Sequence, residues 1–311
     1  MKKHLSSLTL LFLTAVFTAS SNAQAPKSKD ESFKEIAALS NVKKTEEQAK
    51  AYELSKDFLA RFGKEKDEKV NKIRTFNHNY RWGMFGKDIE TNNYAGAFAL
   101  GRDILADEPD DVAVLMNLAY AGYNAIISKN DKTYVDESIG YSKKTLQLME
   151  AGTMPKLFVP FKDKNEAFAF IYFADGNLGL EKDPKGSIVS IYRSTTYDAP
   201  IKDDPAPYNM IAAYYEQTYA KMAADAKAKV AAKTISDAEV KAEIEKENKV
   251  MDVMMDAYVR ALKRSSGDAA ASAQIRQRLT QIYKFRKKTE EGLPEYITYI
   301  NTTPMPDPGK Q

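Results

Sequence analysis

The chain has 311 residues, with 46 Lys and Arg against 43 Asp and Glu, a formal charge of +3 and no cysteine. So even a charge balance gives no electrostatic footprint for nucleic acid, and the missing thiols exclude disulfides, thiol catalysis, zinc knuckles and iron–sulfur ligation. With 43% apolar residues, 18 Tyr and 14 Phe the sequence can bury a real core, which excludes wholesale disorder.

Residues 1–23 have the order of a secretory signal peptide: Lys2 and Lys3, an uncharged apolar run over 8–17, then the small residues Ser20, Ser21 and Ala23. Ser21 and Ala23 fit the two small pockets of a signal peptidase, so cleavage is expected after Ala23. The apolar run is shorter than the roughly 20 residues that a bilayer span requires, and no later stretch reaches 18 consecutive apolar residues. The mature chain is therefore expected to be exported, periplasmic or extracellular, with no transmembrane segment. Cleavage removes two lysines and no acid, which lowers the formal charge from +3 to +1.

Residues 24–44 read as a linker and first helix. Thr45-Glu46-Glu47-Gln48 has the spacing of a capping box, Leu54, Phe58 and Phe62 follow one turn apart, and Gly63 stands as a stop. Val70, Ile73, Phe76 and Tyr80 form the next helical stripe, which is expected to end at Gly83 and Gly86, just past Trp82. His78 lies among these aromatics with neither an orienting carboxylate nor a serine elbow, and reads as a polar residue on a packing helix. Asp107, Glu108, Asp110 and Asp111 surround Pro109. Four acids invite a calcium reading, but the glycine and terminal Glu of a calcium loop are missing, and the positions suit the start of a helix. Asn130-Asp131 is turn chemistry. Strict apolar–polar alternation is confined to 187–192, which also suits a buried helix. The fold class is all-α.

A repeat underlies the helices. Tyr94, Ala97, Ile104, Leu105 and Pro109 are followed by Leu115, Leu118 and Ala119, and the same large–leucine–small order returns at Tyr208, Ile211, Ala212 and Tyr215. Weaker second-helix patterns lie at Ser138, Ile139, Leu146 and at Tyr258, Ala261, Leu262. A further pair, 171–178 and 187–194, is joined at Lys182-Asp183-Pro184. This resembles the tetratricopeptide repeat over roughly residues 90–265. The resemblance implies a right-handed α-solenoid of stacked helix pairs, occupying 45–300, whose small residues let two helices cross closely. Departures are plain: Leu115 replaces the usual Trp, Gly101 stands where an aromatic is common, and the spacings from Leu115 to Ile171 and on to Tyr208 exceed the family's repeat of about 34 residues. Long helical insertions are therefore expected, chiefly over 221–249, where seven Lys and six acids interleave as in a solvated helical pair or coiled-coil arm.

In the tetratricopeptide family the first helix of each pair lines a concave groove. Carried onto this chain, the resemblance implies partner contacts at Met116, Tyr120, Tyr123, Asn124, Tyr172, Asn209, Glu216 and Gln217. Residues 260–288 carry nine basic side chains against Asp268 alone. Lys263, Arg264, Arg276, Arg278, Lys284, Arg286 and Lys287 are accordingly expected to present a basic surface to an anionic envelope component. Residues 301–311, with Pro304, Pro306 and Pro308, read as a mobile tail. The functional expectation is an exported, non-catalytic protein that binds a protein or peptide in a groove, with no cofactor and no metal. The alternative is a cell-envelope hydrolase or lytic enzyme built on a helical solenoid with a carboxylate pair.

Overall fold

The computed structural model describes residues 27–310, so the signal-peptide reading of 1–23 lies outside the described residues. The fold is all-α. Among the described residues there are twelve α-helices, two 3-10 turns and no strand: α1 (Lys29–Ser40), α2 (Thr45–Phe62), α3 (Glu68–Glu90), α4 (Tyr94–Asp107), α5 (Val112–Lys129), α6 (Val135–Glu150), α7 (Lys164–Gly179), α8 (Pro184–Ser194), α9 (Pro205–Ala231), α10 (Asp237–Arg264), α11 (Ala269–Lys287) and α12 (Leu293–Thr302). Two compact units divide between Tyr80 and Arg81, within α3 and within the span 45–300 read as one domain. Among the described residues no helix is long and apolar enough to cross a membrane.

In the first unit, α1 opens on a reciprocal capping box between Ser28 and Glu31. The box expected at 45–48 does not form. Lys44 takes the extended cap position without a side-chain bond, which leaves Thr45 already inside the first turn of α2. Gly63 does end α2, donating its N–H to the Leu59 carbonyl at 2.8 Å. Ile36, Ala51, Phe58, Val70 and Ile73 form the core here, and Asn77 donates to the Ser55 hydroxyl at 2.8 Å inside it.

In the second unit, α3 runs through Gly83 and Gly86 rather than stopping there; it ends at Glu90, before Asn92 adopts a left-handed φ of 56°. Packing explains the difference. A Cβ at either glycine would meet nothing within 4 Å, so the helix can tolerate both at a propensity cost alone. Most of the next helices start on side-chain caps, α6 and α12 excepted, and aspartate recurs: Asp111 for α5, Asp163 for α7, Asp183 for α8, Asp204 for α9 and Asp268 for α11. Three more acids beside Pro109 are also committed to structure. Asp107 lies 2.6 Å and Glu108 3.7 Å from the Arg81 guanidinium, and Asp110 lies 2.7 Å from Lys144.

Helix α5 packs on α6, α7 on α8 and α9 on α10, while α6 meets α7, α8 meets α9 and α5 also meets α7. Small residues set these crossings. A Cβ on Gly176 would stand 2.6 Å from the Ser187 carbonyl oxygen, so only glycine lets α7 and α8 approach this closely. Ala119 and Ala212 are wholly buried, at 0% exposure. Residues 221–249 form the end of the α9–α10 hairpin, which turns at Lys233 with φ 54° and leaves Val230 and Ile244 exposed. The segment expected to be a mobile tail packs instead. Met305 and Pro308 are buried, Arg260 donates to the Thr303 carbonyl at 2.8 Å, and Tyr192 donates to the Met305 carbonyl at 3.3 Å.

Candidate functional site

A groove in the second unit begins with two sequence stripes. Trp82, Phe85 and Ile89 recur at helical spacing near the end of α3, and Asn117, Tyr120 and Asn124 do so on α5. Two adjoining cavities, of about 330 and 240 Å³, share Tyr120 and Pro160. The first is walled by Trp82, Phe85, Gly86 and Ile89 on one side and by Asn117 and Tyr120 on the other. The second continues over Phe161 and Phe170 to Pro200 and Ile201.

Its rings are mutually locked. Tyr120 meets Phe161 edge-on at 5.7 Å between ring centres and Phe170 at 5.4 Å, while Tyr123 stands edge-on to Phe170 at 5.4 Å. Such pairs add roughly 0.5–1.5 kcal/mol beyond area burial, so the groove is preorganised rather than soft. Burial pushes the Tyr123 hydroxyl above its ordinary range, with the Asp204 charge adding to it, so this phenol stays neutral. Asn117 donates to the Ala113 carbonyl at 2.9 Å and, across to the α6–α7 loop, to the Val159 carbonyl at 3.1 Å. That loop leaves Leu157 and Val159 exposed, at 71% and 59%.

The expected contact residues divide. Tyr120 and Tyr123 meet through Phe170, and Asn124 bonds back to the Tyr120 carbonyl at 2.9 Å. Met116 is core instead, at 0% exposure among Ala119, Leu146 and Phe168, because the position one turn before Tyr120 faces α6 and α7. Tyr172 is also a structural residue. It donates to Glu150 and accepts from Arg193 at 2.8 Å, a clamp joining α6, α7 and α8; burial and the bond to Glu150 raise its hydroxyl pKa, and Arg193 offsets part of that rise. Asn209 is half-buried on α9 and Gln217 is exposed, and neither lines the two cavities. Glu216 turns the other way, accepting from Tyr258 at 2.7 Å and from Arg278.

Charge counting along the chain fails at 260–288, because the acids that matter lie outside that window, two just beyond its ends and two far along the chain from their partners. Arg260 pairs with Asp256 at 2.6 Å and Arg286 with Asp252 at 3.1 Å; Lys284 pairs with Glu290 at 2.9 Å and Arg278 with Glu216. Arg264 donates to the Arg260 carbonyl and lies over the Tyr208 ring at 4.2 Å. Lys263, Arg276 and Lys287 are the members of the expected basic surface left exposed without such a role. Trp82, Phe85, Asn117, Phe161 and Phe170 were outside the expected set. The repeat pattern gave α3 no place as a first helix, although the 82–85–89 stripe was its signal.

Among the described residues three carboxylates are buried: Asp88 accepts from Asn93 at 2.9 Å and Asp256 from Arg260, while Asp175 accepts from Ser190 at 2.7 Å through Oδ2 and leaves Oδ1 without a partner. Among the described residues no group of three His, Cys, Asp or Glu is placed to hold a metal ion. No family model, no characterised protein and no solved structure matches this chain.

Proposed function

We propose that this chain is an exported, non-catalytic helical-repeat protein that holds an extended apolar peptide segment of a protein partner in the α3–α5–α7 groove. The observation that carries the reading is Tyr120, shared by two adjoining cavities whose linings extend from Trp82 to Ile201. Rigid rings supply contact area at little entropic cost, and side-chain amides suit a peptide backbone. Asn117 already holds a backbone carbonyl there, that of Val159. The succession of helix pairs α5/α6, α7/α8 and α9/α10, with small residues at their crossings, supports the tetratricopeptide-like reading, in which first helices line a concave face. The engagement of Asp88 by Asn93 and of Asp256 by Arg260 favours binding over hydrolysis.

Trp82 is the chain's single tryptophan and lies in the groove, so its emission reports on occupancy. Peptides enriched from a displayed random library on the purified protein are expected to be rich in apolar side chains and to change Trp82 emission saturably. Enriched peptides that leave the emission unchanged, or a library that yields none, would contradict the proposal.

A further inference from the structure

A second cavity, of about 660 Å³, lies among α8, α9, α10 and the C-terminal 3-10 turn (Pro308–Lys310), away from the groove's lining residues. Its wall is apolar: Ile188 and Val253 are buried at its base, with Tyr214, Tyr215, Met222 and Val250 around them. Its rim is cationic. Lys185 comes from α8, Lys246 and Lys249 lie one turn apart on α10, and Lys310 comes from the terminal turn, so three separate elements bring ammonium groups to one mouth.

The carboxylate and the threonine hydroxyl of the lining are committed elsewhere. Asp252 is held by Arg286 through two hydrogen bonds of 3.1 Å, and the Thr218 hydroxyl donates to the Tyr214 carbonyl at 2.9 Å. Lys246 lies 3.1 Å from Glu243, but among the described residues no carboxylate stands at ion-pair distance from Lys185, Lys249 or Lys310. A small-molecule site is ordinarily an apolar concavity of about 300–1,000 Å³ with a few convergent polar groups, and this cavity has that form. No asparagine or glutamine lines it to read a peptide backbone, in contrast to the groove.

We infer that this cavity binds an anionic amphiphile, with the acyl chain against Ile188, Met222 and Val253 and the carboxylate or phosphate head at the lysine rim. Burying the chain supplies the attraction. The flexible lysine stems cover the mouth while their ammonium groups reach the head, giving charge-assisted hydrogen bonds in a partly desolvated setting.

The probe is sodium dodecanoate below its micelle concentration, titrated calorimetrically into the protein, with dodecanol, dodecyl phosphate and phosphatidylglycerol vesicles as parallel arms. Dodecanoate and dodecyl phosphate are expected to bind with one-to-one stoichiometry, and dodecanol at least about tenfold more weakly. The triple variant Lys185→Gln/Lys249→Gln/Lys310→Gln alters only exposed side chains and is expected to weaken dodecanoate binding by about tenfold or more. Met222→Trp, which fills the cavity from its edge, is expected to abolish it. Co-sedimentation with the vesicles that the triple variant loses would assign the head group to a membrane lipid; binding of dodecanoate without co-sedimentation would assign it to a free amphiphile. Equal binding of dodecanol and dodecanoate, or full affinity in the triple variant, would overturn the inference. Groove peptides and dodecanoate are expected to bind together without competition, so either site can fail alone.

Discussion

Glycine means opposite things at the α7–α8 crossing and in the groove. At Gly176 a neighbouring backbone carbonyl occupies the space a Cβ would take, and the helix accepts a poor former because nothing larger fits. At Gly86 the space is open, and the side chain that is missing would have stood at the wall of the cavity beside Trp82 and Phe85. One absence is required by packing and the other is not. What the fold does not require is where the groove has its freedom.

The largest expected effect sharpens the first half of that contrast. Gly176→Ala must push α7 off α8 against a carbonyl that cannot rotate away, at about 3 kcal/mol or more, read as a fall in the denaturation midpoint. Ala119→Phe and Ala212→Phe test two further buried small positions and are expected to cost about 1–3 kcal/mol each, while the exposed Ala213→Phe is expected to change stability by less than about 0.5 kcal/mol. A crossing residue that tolerates bulk would break the comparison.

Asp175, one position before Gly176, adds a pH test. Burial raises its carboxyl above the ordinary 3.8, and the hydrogen bond from Ser190 offsets part of that rise. The folded state therefore holds this proton more tightly than the unfolded chain. The associated stabilisation is full below 3.8 and is lost as pH rises through the raised folded value. Asp175→Asn keeps an acceptor for Ser190 and removes the charge. Its stability is expected to fall less than that of the parent between acid and neutral pH, and an identical pH profile would contradict this account of Asp175.

Much of the architecture was legible because it rests on local chemistry. The helical apolar stripes, the Leu118/Ala119 and Ile211/Ala212 patterns and the cap-forming Asp111 after Pro109 are all short-range signals, and they suffice for an all-α reading. The groove was legible in part. Tyr120 and Tyr123 follow from the helix expected to line a groove, whereas Met116 on that helix and Tyr172 on α7 face inward, a distinction set by neighbouring helices rather than by sequence spacing. The basic block misled for a related reason: Arg278 and Arg286 find Glu216 and Asp252, 62 and 34 positions away. The tail misled because Met305 and Pro308 pack on surfaces supplied by α8 and α10, which composition alone does not reveal.

A small stability effect carries the most weight for function. Gly86→Leu replaces a poor helix former with a good one in open space, and the new side chain enters the groove. The account predicts a gain of about 0.8–1 kcal/mol by chemical denaturation, together with at least a tenfold loss of affinity for peptides selected on the parent, about 1.4 kcal/mol or more. Gly83→Leu, on the exposed face of the same helix, is expected to show a comparable gain in stability and unchanged affinity. Peptides that bind Gly86→Leu as tightly as the parent would contradict the claim that this groove is the binding surface.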